Sequence, residues 1–158
     1  MFNIYRSRPL GSQLRQFVCV STLVCVVLVG CAPREDCAFL NDALLEGNLR
    51  LQEVNEGNLG GSGYNQGIER QVGRIYFDVS QIIDSLPITN QRLQTIQFQL
   101  VEAYQQASDD RYQAADLLSS VSDNPSAQVK SDIRQLHLDS EANIGTITET
   151  LRKQCPLR

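Results

Sequence analysis

Apolar residues recur at alternating steps of three and four positions in four segments of this chain. The clearest segment covers residues 67–86, where the apolar positions are Ile68, Val72, Ile75, Val79, Ile82 and Leu86. Such steps place side chains on one face of an α-helix, whereas a half-buried strand would show an apolar residue at every second position. Pro87 follows and cannot continue a helix, because proline lacks the backbone N–H. The segment therefore predicts an amphipathic helix that ends before Pro87.

The same spacing occurs in residues 37–54, 93–121 and 129–155. The middle one of these passes through Ser108-Asp109-Asp110, a combination that can begin a helix, so either one kinked helix or two helices are possible there. A kink at 108–110 is favoured because the apolar spacing continues beyond it. Asp110 is then interpreted as a cap turned outward, the alternative being a buried carboxylate paired with an arginine. The fold class is predicted to be all-α, an antiparallel up-down four-helix bundle.

The N-terminus carries a short apolar run. Residues 17–30 contain no charge, and the segment before them contains Arg6, Arg8 and Arg15 but no acidic residue. A helix that spans a bilayer needs about 20 apolar residues. A basic segment followed by a shorter apolar run and small residues is typical of a secretory signal peptide. Cleavage after this run is therefore expected, with an uncleaved anchor helix as the alternative.

The apolar run ends with Leu28, Val29, Gly30 and Cys31. These residues resemble the lipobox of bacterial lipoproteins, in which an aliphatic, a variable and a small residue precede an obligatory cysteine. The resemblance covers only residues 1–31. It implies that the Cys31 thiol receives a diacylglycerol, that the preceding peptide is removed, and that the new amino group is acylated, for example by palmitate. Several acyl chains hold a protein stably on a membrane, whereas one holds it only marginally.

The resemblance also implies a domain organisation and a location. Residues 1–30 would be the signal peptide, residues 31–36 a lipidated tether and residues 37–158 a single bundle domain. The mature chain is expected on the extracytoplasmic side of a bacterial cell envelope. Ala32, which is not aspartate, favours the outer membrane, with an inner or thylakoid membrane as the alternative.

The charge of the mature chain limits its partners. Removing residues 1–30 removes three arginines and no acidic residue, which changes the net charge from −4 to −7. The sequence shows no basic patch, so nucleic acid is not expected as a partner. Attachment to the membrane is accordingly assigned to the acyl chains and not to charge.

Two cysteines remain once the others are assigned. Cys19 and Cys25 lie in the segment that the resemblance removes, and Cys31 is the implied lipidation site. Cys37 and Cys155 are left as an even pair in an oxidising compartment. They open the first helical segment and close the last, in phase with the apolar faces, and these two ends are neighbours in an antiparallel four-helix bundle. A disulfide between them is predicted, with two unpaired buried thiols as the alternative.

The sequence offers no recognisable set of catalytic residues. His137 is the only histidine, and it forms an H-x-D-x-E motif with Asp139 and Glu141. This motif contains a single imidazole, whereas zinc sites usually need three or four N or S ligands. These three residues are interpreted as a solvent-exposed helix face. The glycine-rich residues 58–67 lack the spacing of a dinucleotide-binding loop and follow no predicted strand, so they are interpreted as an interhelix loop. No enzymatic activity, metal or other cofactor is expected.

The expected function is that of a membrane-tethered, non-enzymatic helical module that binds an envelope protein or acts as an accessory or scaffold subunit. Six aromatic residues are interpreted mainly as core residues, the alternative being an exposed patch that anchors a partner. They are Tyr64, Tyr76, Phe77, Phe98, Tyr104 and Tyr112. The alternative function is a carrier that holds a small apolar or amphipathic ligand inside the bundle. Small residues on the predicted core faces would leave room for that ligand: Gly47, Ala103, Ala107, Ala114 and Ser140.

Overall fold

The computed structural model of the chain describes residues 34–58, 64–120 and 124–156. They form four helices, which are α1 (Arg34–Gly57), α2 (Gln66–Asp84), α3 (Gln91–Ser119) and α4 (Ala127–Gln154). Within these ranges there is no strand. The predicted all-α four-helix bundle is confirmed. The predictions for residues 1–33, among them the lipobox and Cys31, lie outside the described residues.

Polar side chains determine where three of the helices begin. Asn65, Asn90 and Ser126 precede α2, α3 and α4, and the side-chain oxygen of each accepts hydrogen bonds from backbone N–H groups of the first turn. These N–H groups have no partner within the helix itself, so the caps stabilise the helix starts. All three residues belong to types that favour this position.

α1 begins at Arg34, three residues before the start that the apolar spacing indicates. Residues 34–36, which were predicted to belong to the tether of residues 31–36, are instead the first turn of a helix. Glu35 and Asp36 lie in this first turn, where the partial positive charge of the helix N-terminus favours carboxylates.

α3 is one uninterrupted helix through residues 108–110. The predicted outward orientation of Asp110 is wrong, because this residue is 7% exposed. Its Oδ1 atom accepts a hydrogen bond from Gln106 Nε2 at 2.8 Å. The donor lies one helical turn away on the same face, so the carboxylate has a partner without any arginine.

The helices pack in the order in which they occur along the chain. α1 packs on α2, α2 packs on α3, and α3 packs on α4; within the described ranges, α1 and α4 do not pack along their lengths. A glycine permits a close approach in each of the first two pairs. A Cβ atom at Gly47 would lie 2.8 Å from Val79 Cγ2, and one at Gly73 would lie 3.3 Å from the backbone oxygen of Ser108. Val79 therefore occupies the space that a ligand would have needed at Gly47.

The predicted disulfide between Cys37 and Cys155 is present, with the two Cα atoms 5.6 Å apart. Asp36, beside Cys37, reaches the start of α3: its Oδ2 atom accepts hydrogen bonds from the backbone N–H groups of Thr89 and Asn90 at 3.0 and 2.8 Å. The start of α1, the α2–α3 loop, the first turn of α3 and the last turn of α4 thus meet. We call this part of the bundle the disulfide end.

Two apolar clusters fill the bundle. The smaller cluster lies between α3 and α4 at the end opposite the disulfide and contains Ala114, Leu118 and Ile133. The larger cluster draws on all four helices. Its fully buried side chains are Leu40, Val79, Ile83, Leu93, Leu100, Ala107 and Leu151.

Replacing both Cys37 and Cys155 by serine should lower the free energy of unfolding by about 2–5 kcal/mol, because the disulfide closes a long loop and restricts the unfolded chain. The cysteines are 118 positions apart. Urea denaturation of the wild type and the double variant measures the difference. An unchanged midpoint and slope would show that the bond does not stabilise the bundle.

Gly47→Ala should lower the free energy of unfolding by about 1–3 kcal/mol, because the new methyl group would meet the fully buried Val79. Gly145→Ala is the matched control in α4, since no atom lies within 4 Å of a Cβ placed there. That control should gain about 0.5–1 kcal/mol from helix propensity. Combining Gly47→Ala with Val79→Ala should cost less than the sum of the two single changes. Equal gains at Gly47 and Gly145 would contradict the close approach of α1 and α2.

Candidate functional site

α2 places a carboxylate inside the bundle at Glu69. Its side chain is 3% exposed, and it shares one face of the helix with Val72, Tyr76 and Ile83. Removing an ion from water costs several kcal/mol even after the protein relaxes around it. A carboxylate in this position therefore requires a charged partner and hydrogen bonds.

Arg111 of α3 and His137 of α4 provide these partners. Arg111 Nη1 donates a hydrogen bond to Glu69 Oε2 at 3.1 Å, and His137 Nε2 lies 3.0 Å from the same oxygen. The distance between Arg111 Nη1 and His137 Nε2 is 2.9 Å, so the three atoms form a triangle. Arg111 Nη2 donates to Glu141 Oε1 at 3.3 Å. We call Glu69, Arg111, His137 and Glu141 the polar site; it joins α2, α3 and α4.

The imidazole of His137 cannot favour both of its neighbours in one protonation state. A protonated Nε2 donates to the Glu69 carboxylate, but its hydrogen then faces the donor of Arg111. An unprotonated Nε2 accepts from Arg111, but its lone pair then faces the carboxylate. The Arg111–Glu69 hydrogen bond is compatible with both states and is the constant element of the triangle.

The aromatic ring of Tyr76 lies beside the guanidinium group of Arg111. Arg111 Cζ lies 5.8 Å from the ring centroid of Tyr76, within the range of a cation–π interaction. Tyr104 packs against Tyr76 edge to face, with 5.7 Å between the centroids. Burial raises the pKa of Tyr76, although the charge of Arg111 opposes the change. Burial and the neighbouring Tyr76 raise the pKa of Tyr104 to about 12, so both phenols are neutral at neutral pH.

Glu69 is ionised at neutral pH despite its burial. Burial alone would raise the pKa of this carboxyl, but the hydrogen bond and charge of His137, together with the charge of Arg111, lower it below its ordinary value of 4.5. Because the carboxylate is enclosed and bound to two partners, it stabilises the packing of three helices and offers no accessible lone pair to a substrate.

His137 was predicted to lie on a solvent-exposed face, and this prediction is wrong. Its side chain is 20% exposed and contacts Glu69. Within the same predicted motif, the Glu141 side chain is 59% exposed, and Asp139 is exposed and accepts a hydrogen bond from Gln135. Glu69 was not predicted as a site residue. The available signal was its position next to Ile68 on the apolar face of its segment, because a charged residue buried there needs a partner of opposite charge.

The polar site and the disulfide occupy different parts of the bundle. Along α3, Arg111 lies between Ala107 of the larger apolar cluster and Ala114 of the smaller one. Twenty residues separate Gln91, at the disulfide end, from Arg111, which corresponds to about 30 Å at 1.5 Å per residue. α4 is therefore held at one end by the disulfide and in its first half by His137.

The described part of the chain contains neither a metal-binding cluster nor a membrane-spanning helix. No group of three or more His, Cys, Asp or Glu side chains there is arranged to hold a metal ion. No helix there combines the length and the apolarity needed to cross a bilayer.

The small residues expected to leave room for a ligand are in close contact with their neighbours. Ala107 and Ala114 are fully buried. Ala103 borders an open depression between α3 and α4 whose other lining residues are mostly polar: Gln99, Glu102, Gln106, Asn143, Thr146, Ile147 and Thr150. This depression lacks the apolar enclosure that a carrier of apolar ligands needs.

Three aromatic side chains of α2 and α3 remain exposed: Phe77 (49%), Phe98 (61%) and Tyr112 (39%). The core positions predicted for Tyr76 and Tyr104 are confirmed, but those predicted for Phe77, Phe98 and Tyr112 are wrong. Tyr64 is half-buried and packs against the smaller apolar cluster. We call Phe77, Phe98 and Tyr112 the aromatic face.

The aromatic face follows the line along which α2 and α3 meet. Tyr112 lies beside Gly73, since a Cβ there would be 3.4 Å from the tyrosine ring. Further along, Gln97 Nε2 donates to the Ile83 carbonyl oxygen at 2.7 Å. Residues 73–83 of α2 therefore run beside residues 97–112 of α3, and Phe77 falls within this stretch. Positions four or seven apart lie on one side of a helix. Phe98 and Tyr112 are fourteen positions apart on α3, and Phe77 is four positions from Gly73 on α2. This spacing places the three rings on the same side of the α2–α3 pair.

Comparisons with protein-family models, with curated proteins and with solved structures found no match.

Glu69→Gln should lower the free energy of unfolding by about 3–5 kcal/mol, because it leaves the buried charge of Arg111 without its main partner. Glu141→Gln is the control, since the Glu141 side chain is 59% exposed; an exposed pair contributes at most about 1 kcal/mol. Denaturant unfolding of both variants at neutral pH measures the difference. Equal effects at the two positions would contradict the buried pair.

The pKa of Glu69 also predicts the acid sensitivity of the bundle. Because the pKa in the folded state lies below the ordinary value of 4.5, the contribution of Glu69 is complete above about pH 4.5 and is lost as the pH falls through the folded value. Between pH 4.5 and pH 3, the wild type should lose more stability than Glu69→Gln. Denaturant midpoints measured across this range test the prediction, and parallel curves for both proteins would refute it.

Proposed function

We propose that this protein is a lipid-anchored, non-enzymatic module of a bacterial cell envelope that binds another protein through its aromatic face. The observation that supports the proposal best is the exposure of Phe77, Phe98 and Tyr112 along the groove between α2 and α3. Contiguous exposed apolar surface marks interaction sites on soluble domains. Aromatic residues are also enriched at the energetic centres of protein interfaces.

The polar site favours a binding role over a catalytic one. Its carboxylate is 3% exposed, and the groups that could activate it are already its hydrogen-bond partners. A general acid or base has to come within hydrogen-bond reach of a substrate. The polar site instead keeps α4 on the α2–α3 pair and so holds the aromatic face in a fixed shape.

The lipid anchor is supported by the lipobox resemblance at residues 28–31 and by the start of α1. Three peptide steps separate Cys31 from Arg34, where α1 begins, and three steps span at most about 11 Å. An acylated Cys31 would therefore hold the bundle close to the membrane. This distance suits a protein that acts at the membrane surface, and the outer membrane is the favoured location.

Cys31→Ala should abolish lipidation, and with it the release of residues 1–30 at that site and the stable retention of the mature chain in the membrane fraction. Fractionation of the native cells, together with the mass of the variant, measures both effects. If the variant is still cleaved before residue 31 and stays in the membrane fraction, the lipoprotein assignment is wrong.

Phe77→Gln combined with Phe98→Gln should lower the recovery of the protein partner by about 30-fold or more, the effect of losing one interface hot spot of 2 kcal/mol. The readout is purification of tagged protein from its own membranes in mild detergent, with each co-purifying protein quantified. Leu45→Gln with Leu49→Gln is the matched control on α1, since these side chains are 57% and 53% exposed. This control should keep the partner.

Two outcomes would contradict the proposed binding role. The first is a partner that the α1 control loses and the aromatic-face variant keeps. The second is the recovery of a clean monomer with a bound small molecule, which would instead support the carrier hypothesis.

A further inference from the structure

Basic side chains collect at the disulfide end of the bundle. Arg34 is the first residue of α1, Arg92 lies in the first turn of α3, and Arg152 and Lys153 lie in the last turn of α4. All four are exposed. The side chains of Arg152 and Lys153 are 68% and 72% exposed, and they lie 3.8 and 4.0 Å from the exposed carboxylate of Glu149. The disulfide and the hydrogen bonds of Asp36 bring these three helix ends together.

The excess of acidic residues lies elsewhere. Three exposed acidic residues share the disulfide end, namely Glu35, Asp84 and Glu149, and the fourth, Asp36, is buried and bound to the backbone. The rest of the described chain carries six basic and thirteen acidic residues. The domain is therefore polarised along its axis, with a slightly basic exposed surface at the disulfide end and a strongly acidic remainder.

We propose that the disulfide end is a docking surface for the phospholipid bilayer, on which the bundle stands upright, with Arg34, Arg92, Arg152 and Lys153 at the lipid phosphates. The inference rests on the proposed function, because it takes Cys31 as the anchor. The chain that precedes α1 leaves from this same end, and residues 31–33 keep the anchor within about 11 Å of Arg34. The anchor and the basic side chains therefore meet the same membrane surface.

The chemistry of the two surfaces is complementary. A guanidinium group matches the geometry of a phosphate with two parallel hydrogen bonds, and basic residues beside an anionic bilayer are attracted to it. This attraction falls off within a Debye length, about 8–10 Å at physiological salt. Lys130 and Lys153 are 23 residues apart on α4, which corresponds to about 35 Å. The acidic half of an upright bundle thus extends beyond the range over which an anionic membrane would repel it.

An upright orientation also determines where the aromatic face points. α2 ends and α3 begins at the disulfide end, so both helices extend from that end toward the opposite one. In an upright bundle, the groove between them is therefore parallel to the membrane normal. Phe77, Phe98 and Tyr112 then face sideways, toward a partner that stands beside the bundle on the same membrane.

The two lysines of the chain provide the test. Lys153 lies at the disulfide end, and Lys130 lies at the other end of α4 as an internal control. The lipidated chain is incorporated into phosphatidylglycerol or phosphatidylcholine vesicles, treated with an amine-reactive reagent and digested for mass spectrometry. We expect Lys153 to react about fivefold more slowly on the anionic vesicles, the factor that corresponds to one basic residue at such a surface. High salt should remove the difference, and Lys130 should react equally on both.

Reversing the charge of basic residues at the disulfide end distinguishes electrostatic docking on the bilayer from mere closeness of Lys153 to the membrane. Arg34→Glu with Arg152→Glu should abolish the protection of Lys153. Arg74→Glu with Arg134→Glu makes the same change in net charge at exposed positions away from the disulfide end, and it should leave the protection intact.

The possible failures are distinguishable. Equal reaction of Lys153 on both kinds of vesicle, with the protein still bound to them, would overturn the docking surface and leave the lipid anchor standing. If the protein binds to neither kind of vesicle, Cys31 is not a lipid anchor, and the proposed function is wrong as well.

Discussion

The Cys37–Cys155 disulfide is the interaction on which the arrangement of the helices depends. The helices pack in chain order, and in the described part of the protein α1 and α4 do not pack along their lengths. The covalent bond therefore brings the first and last helices together at one end. Asp36 adds the start of α3 to the same end through its hydrogen bonds to the α2–α3 loop. The chain enters the bundle there, so this end determines how an anchor at Cys31 would hold the domain.

The opposite half of the bundle is held by charge instead of a covalent bond. Glu69, Arg111 and His137 come from three different helices and meet within about 3 Å of one another. Burying the Glu69 carboxylate is costly unless Arg111 and His137 remain beside it. The polar site therefore resists any displacement of α3 or α4 relative to α2. The disulfide and the polar site thus hold α4 at two separate levels, and the groove that carries Phe77 keeps its shape.

The sequence was sufficient for the features that depend on local order along the chain. Apolar spacing identified the four helices, Pro87 marked the end of the second, and the phase of Cys37 and Cys155 indicated their pairing. The polar site was missed because His137 and Glu69 are 68 positions apart, and the spacing within each helix does not determine which helices face each other. The orientation of Asp110 was predicted wrongly for another reason. Its buried carboxylate accepts a hydrogen bond from Gln106 of the same helix, so it needs neither solvent nor an arginine.

The mass of the N-terminal peptide of the protein, isolated from its own membranes, tests the central claim most directly. That claim is that a lipid on Cys31 makes the disulfide end the membrane-facing end. We predict a mature chain that begins at Cys31 and carries the mass of a diacylglyceryl group and an amide-linked acyl chain. A chain that retains residues 1–30, or one that carries Cys31 without lipid, would contradict the claim.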